Sequence, residues 1–151
     1  MAHTPVNHPA QPVYRAIGGI TGLYFVVFGV VGVIATAGSE LFARDETKVF
    51  GQGTNLGFSL FSILVGAAVL AGTVLGRNRD VVINAVVAYG LMVVGLAGLA
   101  FIRTDANIFN WSVTSSVVVM TLSIVLLMVS MYGKVGTDEE RDAWQKARLV
   151  L

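Results

Sequence analysis

Four stretches of this chain, near 16–37, 55–76, 81–102 and 111–132, contain no Asp, Glu, Lys, Arg or His. Each is long enough to cross the roughly 30 Å hydrocarbon layer of a bilayer, which takes about 20 helical residues. A backbone without water must satisfy its own N–H and C=O groups, and a helix does so within one segment. The feature restricts the chain to an all-α integral membrane protein, a four-transmembrane-helix bundle. Composition agrees: 55% of the 151 residues are hydrophobic and only 13% charged. The first run is too long and glycine-rich for a signal-peptide core and further spans follow it, so it is expected to be a retained span.

Connections and charges order these spans. Arg77-Asn-Arg-Asp80 is so short that spans two and three must be antiparallel neighbours, and 103–110 joins three and four almost as tightly. An up-and-down bundle over 14–132 follows. Arg15, Arg77, Arg79, Lys134, Arg141, Lys146 and Arg148 fall at one end, Arg44, Lys48 and Arg103 at the other. The positive-inside rule then places both termini in the cytoplasm. Residues 1–13, with three prolines and two histidines, read as an extended cytoplasmic tail. The loop 38–53 mixes charges with Leu41-Phe42 and Val49-Phe50, a pattern suited to a short helix in the headgroup region. Tyr14, Tyr132 and Trp144 mark one membrane boundary, and Phe50, Phe109 and Trp111 the other. Gly29-Val-Val-Gly-Val-Ile34 in span one echoes Gly95-Leu-Ala-Gly-Leu-Ala100 in span three, as a duplicated hairpin predicts. Beyond Gly136, Thr137-Asp-Glu-Glu140 forms a capping box that opens a cytoplasmic amphipathic helix over 137–150. Its acidic start and basic end complement the helix dipole, and Trp144, Ala147 and Leu151 share a face for docking.

The residue types that membrane chemistry relies on are missing from the four runs. There is no cysteine for thiol exchange, and no histidine within a span to hold haem. No span carries the carboxylate of a proton-coupled exporter, nor a His-Glu-x-x-His metal motif. His3 and His8 are too loosely spaced for a metal site. Neither an enzymatic activity nor a cofactor or nucleic-acid partner is expected.

Small and polar residues are therefore the informative ones. Without a hydrophobic drive between helices in lipid, association rests on close packing and interhelical hydrogen bonds. Gly18, Gly22, Gly29 and Gly32 lie near one stripe of span one, and Gly95 and Gly98 do the same in span three. In span two, Asn55, Ser59, Ser62 and Gly66 align at the helical repeat. This stripe reads as a seam between helices whose hydroxyls bond within their own helix. More such surface is available than a compact bundle requires, so some of it is expected to meet another protein. Tyr24, Asn84 and Tyr89 are the candidates for polar contact inside the bundle.

Arg15 with Gly19 and Gly22 before Gly29-x-x-Gly32, and a second span entered through Phe50-Gly51…Asn55-Leu56 and closing on Gly66, resemble an actinobacterial family of uncharacterised four-span membrane proteins. The likeness covers roughly 14–132. In that family the second span carries an Asn followed by a His-Asn-x-x-His pattern. Here the Asn falls on Asn55, the histidine positions on Phe58 and Ser62, and the second Asn on Ser59. Both histidines are missing, so the resemblance implies topology and a bacterial inner (plasma) membrane rather than an activity.

The expected function is that of a non-catalytic accessory or scaffolding subunit of a larger inner-membrane assembly, such as a lipid-import transporter or a respiratory complex. The alternative is a homo-oligomeric protein that binds or transports a lipid or hydrophobic small molecule between spans two and three, near Asn84 and Tyr89.

Overall fold

The computed structural model describes residues 4–149. It contains four helices long and apolar enough to cross a membrane: α1 (Gln11–Ala35), α2 (Leu56–Leu75), α3 (Arg79–Phe101) and α4 (Val113–Tyr132). A shorter helix, α5 (Asp138–Leu149), follows. The all-α bundle is as expected. Asn7, before α1, meets Gly136, before α5, at one end of it, here the termini end, and the long α1–α2 connection lies at the other, the hairpin end.

Two segments differ from expectation. The tail is not extended to residue 13, because Pro12 sits in the first turn of α1, where its fixed φ suits a helix and its missing N–H costs nothing. Nor does 38–53 hold a helix. It folds instead into a two-stranded antiparallel hairpin, β1 (Lys48–Val49) and β2 (Gln52–Gly53). The turn residues Phe50 and Gly51 both have positive φ, 51° and 77°, the backbone of a two-residue hairpin loop.

Helix ends are closed by side chains. The Arg15 guanidinium donates from Nε to the Thr73 carbonyl at 2.8 Å and from Nη2 to the Val74 carbonyl at 3.3 Å, neutralising the negative end of α2. The short turn between α2 and α3 is tied by Asn78, whose amide both donates to and accepts from the Val135 backbone at 2.7 Å. Asn7 makes the same two-way bond to Gly136, so the N-terminal segment is docked rather than free. His8 joins it, edge-on to the stacked rings of Tyr14 and Tyr132. The capping box of α5 forms as expected, with Thr137 and Glu140 each accepting the other's N–H at 3.2 Å.

The two hairpins, α1–α2 and α3–α4, pack alike. Gly22, Phe25, Gly29 and Gly32 on the inner face of α1 stand at one constant spacing from Ala88, Leu91, Gly95 and Gly98 on α3. Ser59, Gly66, Val69 and Thr73 on α2 stand at another constant spacing from Ser116, Ser123, Leu126 and Ser130 on α4. Gly-x-x-Gly in α1 and in α3 receives the serine one turn beyond the N-cap of the next helix: Ser59 against Gly29 and Gly32, Ser116 against Gly95 and Gly98. The internal echo in the sequence thus corresponds to a structural repeat.

Candidate functional site

The predicted seam lies inside the chain. A Cβ placed on Gly29 would lie 2.5 Å from the Ser59 carbonyl oxygen, and one on Gly66 would lie 2.6 Å from that of Gly22. On Gly32 it would overlap Ser59 Oγ, and on Gly22 it would press on Val69 at 3.0 Å. Gly95 faces Met120 of α4, Gly98 faces Trp111, and Gly18 faces Val129 and Asn84. These glycines are consumed by packing between neighbouring helices of this protein. The expectation that their surplus surface meets a partner does not hold for them.

Hydroxyls along the seam bond as the helical spacing implies. Ser59 donates to the Asn55 carbonyl and Ser62 to that of Phe58, both at 2.8 Å. Asn55 does more than line the seam. Fully buried, it caps α2 by accepting the Phe58 N–H at 2.9 Å, and it donates to the carbonyls of Ile108 at 2.7 Å and Ala43 at 3.3 Å. One side chain thereby ties together both loops of the hairpin end. Around it Phe28, Phe58, Phe109 and Trp111 form an aromatic plug, with Phe58 5.0 Å from Trp111 and 5.4 Å from Phe28. Outside the plug, Arg44 pairs with Asp105 at 2.9 Å. The Thr47 hydroxyl and N–H hold the Asp45 carboxyl below its ordinary range.

The three polar candidates separate. Tyr24, half-buried, accepts from Gln52 Nε2 at 2.5 Å, so its partner is the hairpin rather than another helix. Asn84 is buried where α1, α2 and α4 converge near Gly18, and its Oδ1 has no hydrogen-bond partner among the described residues. Tyr89 is not inside at all: it is 64% exposed on the outer face of α3. Five residues along a helix carry a side chain to a different face, so Asn84 and Tyr89 cannot line one cavity. The binding position proposed from sequence between spans two and three is thereby corrected.

Asp80 was read from sequence as part of a turn. It belongs to α3, is only 5% exposed, and its Oδ1 also lacks a partner among the described residues. Its place in the first turn of the helix puts the carboxylate at the positive end of the dipole. The helix start packs so closely on Gly72 that Asp80 is carried under the bundle surface. A charge next to an apolar run was the available signal.

Since Asn84 Oδ1 makes no bond, replacing Asn84 with Leu is expected to leave thermal stability in detergent unchanged or raise it by about 1 kcal/mol. A lowered midpoint would show that the amide is bonded in the folded protein.

On α5, Trp144 is partly buried and shares a cleft with Val6, while Ala147 is exposed. Leu151, the third residue assigned to that docking face, lies outside the described residues. No group of three or more metal-ligating side chains occurs among the described residues.

Four apolar spans packed through glycine and serine define a multi-pass helical membrane protein. Compared with known protein families, curated proteins and solved structures, the chain matches none of them.

Proposed function

We propose that this protein is a non-catalytic accessory subunit of a larger inner-membrane assembly, and that it docks through the outward face of α3 rather than through its glycine seams. The observation that carries the reading is Tyr89. It is the eleventh residue of a 23-residue span, so its phenol sits at mid-membrane depth. Exposed there, its hydroxyl makes no hydrogen bond among the described residues. A hydroxyl left unpaired in hydrocarbon costs several kcal/mol, and a partner helix carrying an acceptor removes that cost.

Three further features support it. α3 buries 22% of its apolar stretch, against 33–39% for the other spans. Val82, Val86, Val93 and Leu96 continue the exposed stripe above and below Tyr89. Gly90 beside it has open space where a Cβ would point, so a second backbone can approach closely. Cytoplasmic termini and an actinobacterial source belong to the same proposal, on the charge distribution and the family resemblance.

A photo-crosslinking amino acid at position 89, activated in native membranes, tests this. The expected product joins this chain to a different membrane protein that co-purifies with it in fixed ratio, and Gly90→Leu abolishes it while leaving the monomer folded. Adducts of twice the chain mass would replace the reading with the homo-oligomeric alternative. Absence of any adduct would end it.

A further inference from the structure

We propose that the protein holds one acyl chain of an ester-linked glycerolipid in a groove at the hairpin end of α3. The groove encloses about 210 Å³ and is walled by Val93, Ala97, Phe101, Ile108, Phe109 and Trp111. Pockets that enclose drug-sized molecules run to about 300–1,000 Å³, so this one suits a single hydrocarbon chain rather than a bulky ligand. From Phe101 at the end of the span to Val93 it descends two turns, or about 12 Å at the helical rise, which is the path of a chain entering one leaflet from its surface. Val93, Phe101 and Ile108 are exposed around it, so lipid has direct access.

Two observations say that the space is meant to be filled. The structural repeat supplies the first: where α3 carries Val94 on the groove wall, α1 carries fully buried Phe28, which packs against Tyr24, Phe50 and Phe58. One half of the molecule fills this position with its own aromatic rings and the longer hairpin loop; the other half, with a smaller side chain and a shorter connection, leaves it open. Trp111 supplies the second. Its ring forms part of the wall and is 4% exposed, and its Nε1–H has no acceptor among the described residues. Asn107 holds only the Trp111 backbone, accepting its N–H at 2.8 Å and donating to its carbonyl at 3.0 Å. Trp111 stands just before α4, near the membrane surface, which is the depth of glycerolipid ester carbonyls. Such a carbonyl is an acceptor of the kind the indole lacks; the ring meets Gly98 through its Cε3–Cζ3 edge and Nε1 is sealed beneath the wall, so the bond requires the ring to shift as the chain enters.

Trp111 also reports on the groove. The chain has two tryptophans, so Trp144→Phe leaves Trp111 as the single indole emitter. Reconstituted in phosphatidylcholine vesicles whose acyl chains carry bromine atoms, which quench indole only at contact, this protein is expected to lose a large part of its emission. Acrylamide in the aqueous phase should have little effect. Adding Ala97→Phe, which puts a phenyl ring into the groove, is expected to cut the bromolipid quenching to about half or less, with Ala97→Leu intermediate. Thermal unfolding of each variant checks that the bundle persists. Vesicles of ether-linked brominated lipid, without ester carbonyls, should quench less than ester-linked ones. Absence of quenching, or quenching that is identical with Ala97, Ala97→Leu and Ala97→Phe, would overturn the proposal.

Discussion

Gly66→Leu is expected to yield no folded protein in mild detergent, eluting as aggregate and digested by protease across the spans. A Cβ at Gly66 lies 2.6 Å from the Gly22 carbonyl oxygen and 2.7 Å from both the Val26 amide nitrogen and Val26 Cγ2. Most of these neighbours are backbone of α1, which cannot swing aside as a side chain end can. Overpacking against adaptable side chains typically costs about 1–3 kcal/mol. Here α1 as a whole must retreat, which also loosens Gly29 and Gly32 from Ser59, so a loss at or above the top of that range is expected. Gly90→Leu is the matched comparison: it makes the same substitution in a membrane span, but nothing lies within 4 Å of the new Cβ. The monomer should then keep its unfolding midpoint. A folded Gly66→Leu protein would show that the α1–α2 seam is less tight than these distances state.

Asn55→Ala carries the second largest expected loss, about 2–4 kcal/mol. Roughly 1 kcal/mol comes from the lost N-cap of α2. The rest comes from two backbone carbonyls, of Ile108 and Ala43, left without their donor. Two substitutions divide these contributions. Asn55→Ser keeps a capping oxygen but reaches neither loop, so it should recover only the capping part. Asn55→Asp keeps the acceptor but removes both donors and buries a charge, so it should recover nothing. Thermal unfolding gives the magnitudes, and limited proteolysis gives the location: cleavage should quicken within 36–54 and 102–112 while the spans stay protected. Equal stability of Asn55→Ser and the parent chain would mean that the ties to the two loops contribute little.

Much of this was legible in the residues. The hydrophobic runs set the number of spans, the four-residue turn set the pairing of α2 with α3, and the spacing of Asn55, Ser59, Ser62 and Gly66 set a seam that the glycine contacts then located against α1. The capping box at Thr137 was readable because its two bonds are local. The hairpin at Lys48–Gly53 was missed because Phe50 has positive φ, a conformation that a bulky residue does not advertise. Asp80 was missed because a turn and a helix start differ by two residues, and only the packing on Gly72 decides whether the carboxyl faces water.

What the sequence alone determined was everything that follows from lipid as a solvent: helices rather than strands, their count and length, and their close approach wherever glycine and serine recur. Only the tertiary structure decided which way each helix faces. In water an amphipathic pattern points inward by itself, because solvent and core differ. In a bilayer the lipid tails and the protein interior are equally apolar, so Asn84 and Tyr89 on one helix look alike until packing turns the first toward Gly18 and leaves the second outside.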